Sequence, residues 1–302
     1  SPSLLVRSAS PCAAPVPAHM ISPVHVGLVS APDGNVVLMN ERWYSKAVVY
    51  CLDIDTFQDS NGDGVGDIRA DRPAGLPGPA RHHLPVAAPD PPRPRTATTA
   101  TTSPDFYNVD PRFGTLGDFA ELLHEARNRG IRVIIDLVVN HVSDEHPWFR
   151  SARSSPDSPY RDWFVWSEHE PADRTQGMVF PGEQKETWTY DRTAKAWYYH
   201  RFYDFQPDLN ITNPAVREEI KKICSFWLQL GVSGFRMDAV PFIIERTEPG
   251  NPNAEKDFDF LSELRQHVQW RQGDALLLAE ANVEPAELTH YFGGRLHMLF
   301  DF

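Results

Sequence analysis

The sequence predicts an α/β protein built on a parallel sheet with helices on both faces. Three observations carry that reading. Three short runs, at 46–53, 132–137 and 275–280, are apolar and rich in Val, Ile or Leu, as buried strands are, and a fourth strand reads at 233–238. Helical patterns with start and stop signals lie between several of them. Strands joined by helical crossovers pair in parallel, with both faces of the sheet covered.

The elements follow in order. Residues 1–40 read as a poorly ordered tail, with five prolines in the first 23 positions and little periodicity. No charged start, apolar core and cleavage site occur in sequence, so it is not a signal peptide. Met39 directly precedes the first patterned segment and reads as a natural start. The run KAVVYCLD at 46–53 is the first buried strand. Over 116–129, Phe119, Leu122, Leu123 and Ala126 share one helical face, and Gly130 stops the helix. RVIIDL at 132–137 is the next buried strand. Asn213 caps a helix that has Pro214 at its first position and ends at Gly231. Two further strands follow at 233–238 and 275–280. Between His141 and Gln206 the alternation lapses into a Trp- and Tyr-rich stretch, which reads as an inserted subdomain over 142–205. Most of its aromatics are expected to form a small core of their own, although sugar rings also stack on such faces.

Composition narrows the function. The chain has 41 acidic against 29 basic residues, a net charge of −12, which repels nucleic acid and anionic membrane alike. No apolar run approaches the ~20 residues that a spanning helix needs. Cys12, Cys51 and Cys224 are too scattered for a disulfide framework or a metal cluster, so a reducing cytoplasm is the default expectation.

Three strands end in ionisable residues. The first runs into Asp136, Asn140 and His141, the second into Arg236 and Asp238, the third into Glu280 and Asn282. In a parallel α/β barrel the carboxyl ends of the strands form the active face. Asp238 and Glu280 are therefore expected to meet across one pocket. Two carboxyls about 5–5.5 Å apart suit retaining glycoside cleavage, one attacking the anomeric carbon and the other protonating the leaving oxygen. Arg236 shares a strand face with Asp238 and is expected to lower its pKa. Glu280 follows an apolar strand, whose desolvation is expected to suit it to the acid role.

The loop DSNGDGVGD offers oxygen at alternate positions from Asp59, Asn61, Asp63, Val65 and Asp67, with glycine at the sharp turns. That pattern suits calcium (Ca2+), a hard cation that takes six to eight oxygens. It is not an EF-hand, because position twelve is Ala70 and a strand precedes the loop. A metal-free Asp/Asn/Gly turn is the alternative.

At these residues the sequence resembles the α-amylase family, glycoside hydrolase family thirteen. DLVVNH is similar to the family's first conserved region, GFRMDAV to its second and LLLAEAN to its third. Within the family, DSNGDGVGD, HPWFRSAR, QPDLN and RLHMLFDF look most like the trehalose synthases, which interconvert maltose and trehalose. The resemblance covers about 41–68 and 105–302. It implies Asp238 as nucleophile, Glu280 as acid/base, and His141, Gln206 and Arg236 as substrate ligands. It also implies a second calcium held by Asn140, Asp208, Glu245 and the carbonyls of Phe242 and Ile243. The implied fold is a partial (β/α)8 TIM barrel, 41–141 and 206–302, interrupted by the insert after its third strand. The last barrel strands and the C-terminal β domain are not among these 302 residues, nor is the family's fourth region, a His-Asp pair. On those grounds the chain by itself is expected to be inactive. A hydrolytic α-glucosidase and an inactive pseudogene product are the rival expectations.

Residues 69–103 break the resemblance. They hold eight prolines and no Phe, Trp or Tyr, where the family has a helix, a strand and a substrate-binding Asp-Asp-Gly-Tyr-Asp segment. GC-rich codons for 70–88, read one base late, can spell an amphipathic helix, a glycine stop and a buried strand. Codons for 96–104, read two bases late, can spell the missing substrate segment. The stretch therefore reads as out of frame, from sequencing error or gene decay.

Overall fold

The computed structural model describes residues 4–7, 26–30, 43–52, 54–69, 105–246 and 255–301. Ten strands and seven helices occur in the order β1 (Leu4–Arg7), β2 (Val26–Ser30), β3 (Val48–Leu52), α1 (Ile54–Phe57), α2 (Leu116–Asn128), β4 (Ile131–Leu137), α3 (Pro147–Ser154), β5 (Trp166–Ser167), β6 (Trp188–Asp191), β7 (Ala196–Tyr199), α4 (Pro214–Leu230), β8 (Gly234–Met237), α5 (Val240–Ile243), α6 (Phe258–Arg271), β9 (Leu276–Ala279), α7 (Pro285–Tyr291) and β10 (Met298–Asp301).

Local signals account for the long helices. Thr115 and Asp118 form a reciprocal capping box at the start of α2, and Phe119, Leu122, Leu123 and Ala126 are its buried stripe. Asn213 accepts from the Ala215 N–H at the start of α4, Pro214 takes the first position, and Gly231 at φ 123° closes it. Both helices pack into one large apolar core shared with the odd-numbered residues of three strands: Ile135 and Leu137, Phe235 and Met237, Leu277 and Ala279. Alternation sends the even-numbered residues to the opposite face. There Ile134, Leu276, Leu278 and Met298 pack under Trp43 and Tyr44.

The main sheet has seven strands in the order β1-β10-β9-β8-β4-β2-β3. Pairing is parallel from β1 through β4, but β2 lies antiparallel between β4 and β3. The all-parallel expectation is corrected at that point. An antiparallel neighbour satisfies the backbone of β4 without a crossover helix. Two segments of the expected tail, β1 and β2, are thus strands; the rest of 1–40 lies outside the described residues. Among the described residues the sheet is open, since β1 and β3 are its two ends.

The first expected strand also needs correction. It is present as β3, but Val48 is 63% and Tyr50 51% exposed, because β3 forms the sheet edge rather than a covered interior strand. Residues 70–103 of the segment read as out of frame lie outside the described residues. A second sheet, β5-β7-β6, falls within the stretch where the alternation lapses. The separate small core expected of its rings is corrected: Phe149, Trp163, Phe164 and Tyr198 are buried in the large core of the main sheet, and among the described residues only Trp188 and Tyr199, with Val165, form a cluster of their own.

One glycine sets the spacing of β8 and β9. Gly234 sits at φ 150°, and a Cβ there would overlap the Leu276 backbone. Its bare Cα lets β8 and β9 approach.

Candidate active site

Register brings three strand ends into one row. Asp136 of β4 pairs with Arg236 of β8, and Met237 of β8 with Ala279 of β9. The next residues, Asp238 and Glu280, therefore leave the sheet side by side, and the Glu280 N–H donates to the Met237 carbonyl at 2.9 Å. Asp136, Arg236, Asp238 and Glu280 have the same parity, so all face away from the helix-packed core.

Arg236 is the hub of this row. Its guanidinium pairs with Asp136 through Nη1 and with both Asp238 (3.2 Å) and Glu280 through Nη2. The Asp136 side chain is fully enclosed, whereas that of Glu280 is 24% exposed and the most open of the three carboxylates. The Phe300 ring lies 5.8 Å from the guanidinium carbon. One cation thus faces three carboxylates.

Burial overturns the expected electrostatics of Asp238. Burial pushes its pKa up; Arg236 pulls down, and the neighbouring charge and hydrogen bond of Glu280 push up again. The net direction is upward, because burial and Glu280 together outweigh the pull of Arg236. Directly after Asp238 the chain turns through Ala239 at φ 52°, a left-handed conformation uncommon for a residue with a side chain. This tight turn starts α5 and lifts the chain away from the strand end.

His141 and Gln206 form a second polar group beside the end of β4. The backbone of 140–142 pairs with 207–209, with Leu209 N–H donating to Asn140 O at 2.8 Å and Val142 N–H to Pro207 O at 3.1 Å. Burial pushes the His141 pKa down to about 4, so its ring is neutral at pH 7. The ring stands edge-on to Phe202, 5.3 Å between centroids. His141 Nε2 and Gln206 Oε1 are buried without a hydrogen-bond partner. Orphaned buried atoms are rare in folded proteins and mark places where a bound group completes the bonding.

The expected metal ligands fall into two places. In the loop 59–67, Asp59 accepts from the N–H groups of Gly62, Asp63 and Gly64, Asp63 from Val65, and Asp67 from Ser60 and Arg69. The donors are all oxygens, as calcium requires, and each carboxylate oxygen has two lone pairs. The donor types of the loop are therefore those that calcium takes. No cluster of three or more His, Cys, Asp or Glu side chains suited to a metal occurs among the described residues. Asn140, Asp208, Phe242, Ile243 and Glu245 do not fit as drawn from the sequence. Glu245 is ion-paired with Arg201, and Asp208 accepts the Arg201 main-chain N–H at 2.9 Å. Burial pushes Asp208 up to about 7, against the pull of Arg201 and Asn140.

Reasoning from sequence therefore missed three residues. Asp136 was visible as a strand-end carboxylate, and its register with Arg236 assigns it a role. Phe300 lies within RLHMLFDF, one of the segments that carried the resemblance, and Arg201 carried no local signal.

Comparison with known proteins adds an independent line. A profile of the alpha amylase catalytic domain matches residues 99–302. The trehalose synthase/amylase TreS of Mycolicibacterium smegmatis is 38% identical over 302 residues, covering 93% of this chain and 49% of the relative. The oligo-1,6-glucosidase of Parageobacillus thermoglucosidasius is 39% identical over 300 residues, covering 87% of this chain and 50% of the relative. Among solved structures, the trehalose-6-phosphate hydrolase of Bacillus licheniformis superposes with a TM-score of 0.67 at 27% identity, over 83% of this chain and 48% of that one. The chain spans about half the length of each of these proteins.

Proposed function

The chain belongs to the alpha-amylase family, glycoside hydrolase family thirteen, and from that premise we propose that the whole protein interconverts maltose and trehalose by glucosyl transfer. The observation that carries the proposal is the row of Asp136, Arg236, Asp238 and Glu280 at adjacent strand ends, in a chain whose relatives include trehalose synthases. Asp238 attacks the anomeric carbon of the bound glucosyl unit and forms a covalent ester. Glu280 protonates the departing oxygen. Burial and the neighbouring Glu280 push the Asp238 pKa up, and Asp238 attacks in its ionised form. The freed glucose turns in the pocket and attacks through another hydroxyl, with Glu280 now acting as base.

Arg236 holds both carboxylates in register and keeps Asp238 aimed at the sugar. Neutral His141 donates or accepts through Nε2, and Gln206 accepts through Oε1, so both can close on sugar hydroxyls. Calcium at Asp59, Asn61, Asp63, Val65 and Asp67 would tie down the loop after β3 and α1, supplying structural support rather than chemistry. Small α-glucosides are proposed as substrates from the relatives, a cytoplasmic location from the scattered cysteines, and the lack of a nucleic-acid or membrane partner from the net charge of −12. No helix among the described residues is long and apolar enough to cross a membrane.

Hydrolysis is the second reading, favoured by the oligo-1,6-glucosidase relative. Water reaching the glucosyl ester before glucose does would make the protein an α-glucosidase with the same residues. The test uses a completed protein, with 69–103 restored to frame and the second half of a trehalose synthase relative appended. Maltose should yield mainly trehalose; glucose alone would favour hydrolysis. The 302-residue chain by itself is proposed to turn over neither sugar.

A further inference from the structure

Three of the five residues expected around a second calcium meet Arg201 instead, Glu245 and Phe242 at its side chain and Asp208 at its main-chain N–H. Arg201 follows β7 and is 8% exposed. Its Nη1 donates to the Gly177 carbonyl at 2.9 Å, and its Nη2 is ion-paired with Glu245. Its guanidinium carbon lies 5.0 Å from the Phe242 ring centroid and 5.6 Å from that of Tyr199. Its main-chain N–H donates to Asp208 Oδ1. The Phe242 carbonyl accepts the Glu245 N–H at 3.1 Å. Three of the five expected ligands are thus committed to Arg201 or to one another.

Gly177 gives a second, independent sign that this arrangement is built in. It sits at φ 75°, and a Cβ at that position would overlap Arg201 Nη1. A residue with a side chain would deny the guanidinium its place against the Gly177 carbonyl. Two faces of ring and two oxygen acceptors enclose a planar, permanently charged group, which is the environment that arginine favours. A dication brought among the same oxygens would face that charge at close range in a site screened from water, where repulsion is strong.

We infer that the guanidinium of Arg201, not calcium, is the cation of the Asn140–Asp208–Glu245 cluster. Arg201 then acts as a strut. It ties Gly177 and the end of β7, in the inserted segment, to Glu245, which follows the turn after the nucleophile strand. The cluster needs no metal, and any calcium dependence of the protein arises at the loop 59–67.

Calcium binding to the purified 302-residue chain, measured by equilibrium dialysis, tests this. Asp59→Asn and Asp63→Asn together silence the loop. With Arg201 intact, the silenced chain should bind no calcium; a bound equivalent there overturns the inference. Adding Arg201→Gln should create a calcium site, while Arg201→Lys, which keeps the charge, should not. If Arg201→Gln keeps the parent's near-ultraviolet circular dichroism and still binds none, the guanidinium is not what fills the site, and the inference fails. If Arg201→Gln loses that signal, the silenced parent and Arg201→Lys decide: both must remain calcium-free, and binding by either overturns the inference.

Discussion

Replacing Arg236 by Met keeps the approximate length of the side chain and removes the charge that three carboxylates share. The Arg236 side chain is 7% exposed, that of Asp136 0% and that of Asp238 11%. Removing one partner of a buried pair costs about 3–5 kcal/mol, because the other charge is left without compensation. Asp136 and Asp238 both qualify, while Glu280 has water to turn to. The carboxylates can relieve part of the cost by taking up protons, so the expected loss is about 4 kcal/mol rather than twice that. A whole domain holds only about 5–15 kcal/mol, so the urea midpoint should move far. The pH dependence follows from the sign. Carboxyls whose folded pKa is raised above the unfolded value are stable when protonated and lose stability as pH rises through the raised value. Arg236→Met should therefore be most damaged at pH 7, and its deficit should shrink at pH 5. Paired urea melts of parent and variant at the two pH values measure this. A loss below about 1 kcal/mol at pH 7, or a deficit that grows on acidification, would refute the hub assigned to Arg236.

Three further outcomes are expected. Gly234→Ala should destabilise the chain by about 3 kcal/mol, since its Cβ would overlap the Leu276 backbone and part β8 from β9; a melt close to the parent's would show that the approach is not required. His141 has a folded pKa of about 4 against an ordinary 6.5, so its stabilising contribution is complete above pH 6.5 and is lost as pH falls towards 4. The gap between parent and His141→Gln should accordingly narrow by about 3 kcal/mol across that window, and a constant gap would mean that the ring is not held neutral. Calcium should raise the thermal midpoint of the parent and leave that of Asp59→Asn/Asp63→Asn unchanged; coincident midpoints of the parent with calcium and with chelator would reduce the loop to a turn.

Much of this architecture was legible because its signals are local. The Asn213-Pro214 start and the glycine stops at Gly130 and Gly231 lie within a few residues of what they control. The buried strands read as continuous apolar runs, and their polar ends pointed to Arg236, Asp238 and Glu280. Partner choice was not legible. Nothing near Val26 announces an antiparallel strand against β4, and KAVVYCLD reads the same whether it becomes an interior or an edge strand. The pKa direction of Asp238 depends first on how deeply the strand end is buried and then on Glu280 beside it, neither of which the local sequence shows. Arg201 and Glu245 are 44 residues apart, with no periodicity linking them.

The central claim is that Asp238 forms the covalent bond to the sugar. In the completed protein, Glu280→Gln should still accept glucosyl from an α-glucosyl fluoride, whose leaving group needs no acid, but should release it slowly for want of a base. Mass spectrometry of the digested protein reads the outcome directly. The account predicts a glucosyl residue on the peptide that contains Asp238, absent when Asp238→Asn is added. A glucosyl residue on another side chain, or none at all while the parent turns over maltose, would contradict it.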